Sequence, residues 1–283
     1  AAWALWDLAA LQSETTLVPL PGFFSDGQLR HVLNDAGVEL LISDEPTRVN
    51  RLLGKPHSAE ATLETVVAER VFHLRRLNPP NGIALPGSVA KVTYPSGTTG
   101  TPKGVLLSAA TQERVAASLV VATEAGPEDR HLALLPLSTL LENVAGLYAP
   151  LLAGGRAVLY GQSRVGIQGA SGVDPKRVLE CLLESGATTA ITLPQLLQAM
   201  VAARVAGGPR PERLRYLAVG GAPISTGLLQ AAVECGLPVL EGYGLSECAS
   251  VVAFTRPGAT PGGICGTPLP HLRVNSAHAG DTS

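Results

Sequence analysis

Strand-like and helical patterns alternate through most of this chain, and that alternation limits its possible folds more than any other feature. VELLISD (Val38 to Asp44), VAKVTY (Val89 to Tyr94), RAVLY (Arg156 to Tyr160), TTAIT (Thr188 to Thr192), RYLAVG (Arg215 to Gly220) and PVLEG (Pro238 to Gly242) read as strands, being short, β-branched and apolar on successive residues. DPKRVLECLLESG reads as a helix with Asp174 as N-cap, Pro175 in the first turn, an apolar stripe of Val178, Leu179, Leu182 and Leu183, and Gly186 at its stop. LPQLLQAMVAARVAGG repeats the pattern with Leu196, Leu197, Met200, Val201 and Val205, and SDGQLRHVLNDAG ends at Gly37 in the same way. Strands that are apolar on both faces must be covered on both. The order therefore predicts an α/β fold of mainly parallel β-sheets flanked by helices. Ligands of such sheets gather beyond the strand C-termini, so the loops there are where chemistry is sought.

Composition narrows the partner. The chain has 283 residues, is 46% hydrophobic and 16% charged, and carries a formal net charge of −2 with no dense Lys/Arg run. A globular chain with such a surface does not favour nucleic acid or an anionic membrane, and a small molecule is the expected ligand. Cys181, Cys235, Cys248 and Cys265 include no C-x-x-C pair, which points away from a zinc site or disulfide framework and towards a reducing, cytoplasmic setting. HLALLPLSTLLENVAGLYAPLLAGG is interrupted by Glu142, Asn143 and two prolines, so a buried core segment is expected there and not a membrane span. AAWALWDLAALQ lacks a basic leader region and is not expected to be a signal peptide. With Met200 as the only methionine, the chain is expected to be a fragment or a trimmed piece. GQSRVGIQGASG (Gly161 to Gly172) is the expected mobile surface loop.

Two loops after strands stand out. YPSGTTGTPKGV (Tyr94 to Val105) concentrates glycine and hydroxyl side chains around one lysine. Backbone N–H groups of such a turn can converge on an anion: Gly97 and Gly100 permit the fold, Ser96, Thr98, Thr99 and Thr101 add hydroxyls, and Lys103 adds a mobile charge. The alternative is a solvent-exposed turn with no ligand. It is not the P-loop of nucleotide triphosphatases, which needs a lysine followed by Ser or Thr at the start of a helix. Here Gly104 follows the lysine and VLLS reads as a further strand.

The second loop, EGYGLSECAS (Glu241 to Ser250), places an aromatic ring, a hydroxyl and a carboxylate within five residues. A tyrosine face can stack on a purine, a serine hydroxyl can bond a phosphate oxygen, and a carboxylate is the hard ligand that magnesium prefers. The plainer alternatives are a packed tyrosine and a solvated glutamate.

YPSGTTGTPKG resembles the phosphate-loop signature of the adenylate-forming superfamily, which includes acyl-CoA synthetases, luciferases and the adenylation domains of nonribosomal peptide synthetases; many relatives have Thr or Ser where Pro95 stands. GYGLSE resembles the superfamily's G-Y-G-x-T-E motif, and VGGAPIS (Val219 to Ser225) is similar to its turn after a central strand. LLPLSTLLENVAG resembles the helix lining the acyl tunnel of fatty acyl-CoA synthetases, with Thr139 where many relatives have His. GGICGTPLPHLRV is similar to the segment just upstream of the ribose-binding aspartate motif. The chain ends before that motif and before the small C-terminal lid domain with its catalytic lysine, and Asp281 is not assigned the ribose role.

This resemblance implies the large N-terminal domain alone, divided as 1–88, a nucleotide- and acyl-binding subregion 89–272, and a tail 273–283. It implies Thr99, Lys103 and Glu247 as catalytic, with Glu247 holding Mg2+. Ser96, Gly97, Thr98, Thr99, Gly100, Thr101, Lys103, Gly220, Gly221, Ala222, Glu241, Gly242, Tyr243, Gly244 and Ser246 would line the nucleotide. Thr139, Asn143, Gly221 and Gly244 would border the acyl group. The implied reaction uses ATP, Mg2+ and CoA: a carboxylic acid, expected to be a fatty acid, becomes an acyl adenylate and is transferred to CoA. The alternatives are a non-catalytic nucleotide-binding fragment and an adenylation domain loading a carrier-protein thiol.

Overall fold

The computed structural model describes residues 1–55, 62–79, 84–95, 102–168, 172–258 and 265–275. The chain divides into two compact units, Ala1–Thr111 with Leu137–Thr139, and Gln112–Pro136 with Leu140–Ser283.

The first unit contains α1 (Ala2–Gln12), α2 (Asp26–Asp35), β1 (Leu40–Ser43), α3 (Pro46–Leu53), β2 (Thr62–Val67), β3 (Arg70–Arg76), β4 (Val89–Thr93) and β5 (Val105–Ser108). Helix α2 starts in a capping box, with Ser25 accepting from the Gln28 N–H and the Gln28 side chain accepting from the Ser25 N–H. Its apolar face, Leu29, Val32 and Leu33, packs with Leu41, Leu52, Val92 and Tyr94. A buried ion pair at 2.7 Å joins Asp7 of α1 to Lys91 of β4. Burial pulls the Lys91 ammonium below its ordinary range, and the Asp7 carboxylate works against that pull.

The strands of this unit are antiparallel, in the order β1-β3-β2 and as a separate β4-β5 pair. The mainly parallel pattern expected through most of the chain does not extend to this unit. Strands β2 and β3 are joined by Ala68 and Glu69 alone, both at positive φ (47° and 63°). Two left-handed residues match the right-handed twist of a tight hairpin, a turn usually signalled by Asn-Gly. Strand β5 stands where a P-loop would require a helix, in keeping with the sequence reading.

The second unit is built from α4 (Ala109–Ala122) from Gln112 onwards, β6 (Arg130–Leu132), a π-helix (Glu142–Tyr148), α5 (Ala149–Leu152), β7 (Arg156–Val158), α6 (Gln162–Val165), β8 (Ile167–Gln168), β9 (Gly172–Val173), α7 (Pro175–Glu184), β10 (Thr189–Thr192), α8 (Pro194–Val205), β11 (Tyr216–Val219), α9 (Thr226–Glu234), β12 (Val239–Leu245), β13 (Ser250–Phe254) and β14 (Thr267–Pro268). Among the described residues a seven-stranded sheet runs β14-β13-β12-β11-β10-β6-β7. It is parallel from β7 to β12, and β13 and β14 add antiparallel edges. The predicted mainly parallel α/β fold is realised here.

Leu132, Leu179, Leu197, Met200, Leu217 and Leu229 form the centre of the core, each contributing about 1.5–3 kcal/mol by leaving water. Val178, Leu179 and Leu182 are buried as predicted, whereas Leu183 is 46% exposed. One residue of helix turns the side chain about 100° away from Leu182. Residues Gly161 to Gln168, expected as loop, hold α6 and β8, and Val165 is buried. Asp174 and Ser225 cap α7 and α9 as their types predict.

The N-terminal ends of the sheet strands are tied together by one carboxylate. Arg215 reaches Asp129 through two bonds of 2.7 and 3.0 Å, the Thr188 hydroxyl donates to it at 2.7 Å, and the Gly126 N–H donates at 3.0 Å. Burial alone would raise the Asp129 pKa, but these donors hold it below the ordinary value. An open cleft of about 480 Å³ lies beside this network. The strand C-termini, at the opposite end, are left for other work.

Candidate functional site

Strand β12 changes partner halfway along. Its first residues pair in parallel with β11 up to Val219 opposite Glu241, and from Gly242 onwards it pairs antiparallel with β13. The EGYG stretch therefore emerges at the C-terminal edge of the parallel sheet, beside the turn Gly220, Gly221, Ala222 that follows β11. These two predicted segments are brought together. A β-carbon at Gly220 would lie 2.7 Å from the Gly242 carbonyl oxygen, so two backbones touch where a side chain would hold them apart. Gly221 sits at φ +80° and turns the chain out of the sheet. Both Gly221 and Ala222 face solvent.

Beyond the contact, β12 and β13 slip register between Tyr243 and Gly244. A β-carbon at Gly244 would meet the Ser250 carbonyl oxygen at 2.0 Å, which explains the second glycine of the motif. Tyr243 is 45% exposed, leaving much of its side chain open to solvent. Ser246 and Glu247 start a single turn of 3₁₀-helix, with Ser246 half-buried and Glu247 exposed. The turn closes through Ala249 and Ser250 at φ 56° and 111°. Non-glycine residues in this region each cost about 1–3 kcal/mol, a strain that collects at functional sites. Nothing in the residue types of Ala249 or Ser250 signalled it.

Glu241 is buried, and among the described residues its Oε2 has no hydrogen-bond partner. The Ser250 and Thr255 hydroxyls are buried and unpartnered as well, and Thr255 adjoins Glu241 through its N–H bond to the Glu241 carbonyl at 2.9 Å. Native interiors seldom leave such groups unpaired without a reason. An acceptor held here fits a ligand N–H. Glu247 offers an exposed hard oxygen for a cation, and among the described residues no cluster of three or more metal-binding side chains occurs.

Asn143 is buried on the π-helix. Its neighbour Glu142 is fully buried, accepts from His131 Nε2 at 2.9 Å through Oε1, and accepts from the Leu135 N–H at 3.1 Å through Oε2. His131 Nδ1 meets the Thr189 hydroxyl at 3.0 Å. A β-carbon at Gly146 would fall 2.2 Å from Glu142 Oε1 and 2.7 Å from His131 Nε2, so this glycine makes room for the pair. Glu142, the one charge that interrupts the apolar stretch, is thus a buried anchor for an irregular helix, a form frequent at functional sites. Thr139 is half-buried and belongs to the first unit.

Of the first loop, Ser96, Gly97, Thr98, Thr99, Gly100 and Thr101 lie outside the described residues. Lys103 is exposed, two residues before β5.

A parallel sheet carrying these turns on its C-terminal edge has the large-domain architecture of adenylate-forming enzymes. A structure of malonyl-CoA ligase, solved as a ternary product complex with methylmalonyl-CoA and AMP, matches with a TM-score of 0.67 at 26% identity, covering 94% of this chain and 54% of that one. The 2-succinylbenzoate–CoA ligase of Geobacillus kaustophilus is 33% identical over 183 residues, 64% of this chain and 35% of that protein. The feruloyl-CoA synthase of an Amycolatopsis species is 27% identical over 248 residues, 84% of this chain and 45% of that protein. The chain thus spans less than half the length of these two curated relatives. The chain belongs to the AMP-binding enzyme family, whose sequence profile matches residues 1–277.

Proposed function

We propose that this chain supplies the nucleotide- and acid-binding part of an ATP-dependent acid–thiol ligase working in the cytosol. A carboxylate oxygen attacks the α-phosphorus of ATP, the bond to pyrophosphate breaks, and an acyl adenylate forms. The thiol of CoA then takes the acyl group and AMP leaves. Reactions of this kind depend mainly on positioning and charge neutralisation. Tyr243 would lie against the adenine, the Glu241 acceptor would meet an N–H of the base, and Ser246 would contact the α-phosphate. Ser96, Thr98, Thr99, Thr101 and Lys103 would hold the outer phosphates. Glu247 would hold Mg2+, which when bound neutralises charge on the departing pyrophosphate.

The observation that carries this reading is the Gly220–Gly242 contact, which joins two family-type segments on one sheet edge beside a buried acceptor that has no partner among the described residues. The segment Leu134 to Gly146 resembles the acyl-tunnel helix of fatty acyl-CoA synthetases, so a fatty acid is the proposed acid. Three of the relatives named above carry names that point to other acids, succinylbenzoate, ferulate and malonate. The test is pyrophosphate release with ATP, Mg2+ and a panel of fatty, aromatic and dicarboxylic acids. Release that depends on a fatty acid supports the proposal. Release with another class keeps the reaction and replaces the acid, and ATP binding without release with any acid identifies a binding fragment.

A further inference from the structure

Helix α2 touches both ends of the glycine and hydroxyl loop. At its start, the Tyr94 hydroxyl donates to Asp35 Oδ2 at 2.7 Å. Towards its end, the Pro102 carbonyl oxygen lies 2.7 Å from His31 Nε2, one helical turn from Asp35. A carbonyl can only accept, so Nε2 carries the proton, as it does in both the ε tautomer and the imidazolium. The His31 and Tyr94 rings also meet edge to face, 6.3 Å between centroids.

Tyr94 is almost fully buried. Burial, aided by the bond to Asp35, pushes its phenol well above the ordinary range and keeps it a donor. Thr93 pairs with Val105 across β4 and β5, which sets Gly104 beside Tyr94. A β-carbon at Gly104 would lie 2.8 Å from Val92 Cγ1 and 3.0 Å from the Tyr94 Cζ and Oη atoms. The glycine after the lysine therefore clears space for the tyrosine ring, a role distinct from phosphate contact.

We propose that His31 and Asp35 are positioning residues for the phosphate-holding loop. By bonding Pro102 and Tyr94 from successive turns of one helix, they fix the separation and direction of its two ends. The functional part of this proposal rests on the nucleotide reading above. Two contacts that merely stabilised the first unit would loosen it everywhere when removed. Contacts that hold a loop mouth would loosen the loop first.

Amide hydrogen exchange on the full chain without nucleotide, combined with Mg·ATP titration, separates these outcomes. Tyr94→Phe keeps the ring and removes only the hydroxyl, and His31→Ala removes the second donor. His31→Gln keeps an N–H able to reach the carbonyl. Exchange in the peptide spanning 95–101 should accelerate about tenfold in Y94F and H31A while α2 and β4 keep wild-type rates, and H31Q should return close to wild type. The dissociation constant for Mg·ATP should rise about tenfold in the first two variants and not in H31Q. Unchanged loop exchange in Y94F and H31A, or acceleration spread evenly over α2, β4 and the loop, overturns the proposal. Local acceleration in a wild-type background that binds no Mg·ATP leaves the positioning role standing and removes the nucleotide reading.

Discussion

The carbonyl oxygen of Gly242 lies 2.7 Å from where a β-carbon on Gly220 would stand. A methyl group there meets backbone, which cannot rotate aside. Gly220→Ala should therefore push β11 and β12 apart at their C-terminal ends, destabilise the chain by about 1–3 kcal/mol, and weaken Mg·ATP binding at least tenfold. Urea unfolding and calorimetric titration check the two effects separately.

Glu247 is exposed and has no ion pair among the described residues. Glu247→Ala should change unfolding free energy by about 0.5 kcal/mol or less while lowering adenylate formation about 10²- to 10³-fold. A stable variant with unchanged turnover would remove Glu247 from the site.

The His131–Glu142 pair is buried on both sides. Removing one partner strands the other in the core, so Glu142→Leu should cost about 3–5 kcal/mol in urea unfolding. Glu142→Gln keeps an acceptor oxygen for the Leu135 N–H and turns an NH2 towards His131, whose other neutral tautomer can accept from it, so it should lose markedly less. Gly146→Ala should resemble the leucine variant, since its methyl group would overlap Glu142 Oε1.

Asp129 ties the lower ends of three strands. Its donors hold its folded pKa below that of an ordinary aspartate, so its stabilisation is fully present above the ordinary aspartate range and is lost as pH falls through the folded value. The acid limb of a stability–pH profile should flatten in Asp129→Asn, which should also be less stable at neutral pH by about 1–3 kcal/mol. Identical acid limbs would count against this network.

The parallel core was legible because β10 and β11 are short β-branched or apolar runs, β12 opens on Val239 and Leu240, and the helices between them carry plain start and stop residues. The hairpin of β2 and β3 was not, since Ala68 and Glu69 carry no turn signature. Strand β6 was hidden because Arg130 and His131 look like surface residues until Ser185, Thr189 and Glu142 satisfy them. In the candidate site, residue type singled out Gly220, Gly221 and Gly244, where a close backbone approach or a positive φ needs glycine, while the cation role of Glu247 is a proposal. The strained Ala249–Ser250 turn, the unpartnered Glu241 oxygen and the π-helix arise from tertiary packing, which periodicity does not carry.

Titration of the full chain with ATP in the presence of Mg2+, repeated on Glu247→Ala and Tyr243→Ala, tests the nucleotide site most directly. Saturable binding by the wild type, weakened about tenfold or more in both variants with circular dichroism unchanged, is the predicted result. No saturable binding at millimolar ATP, or equal affinity in all three proteins, would contradict it.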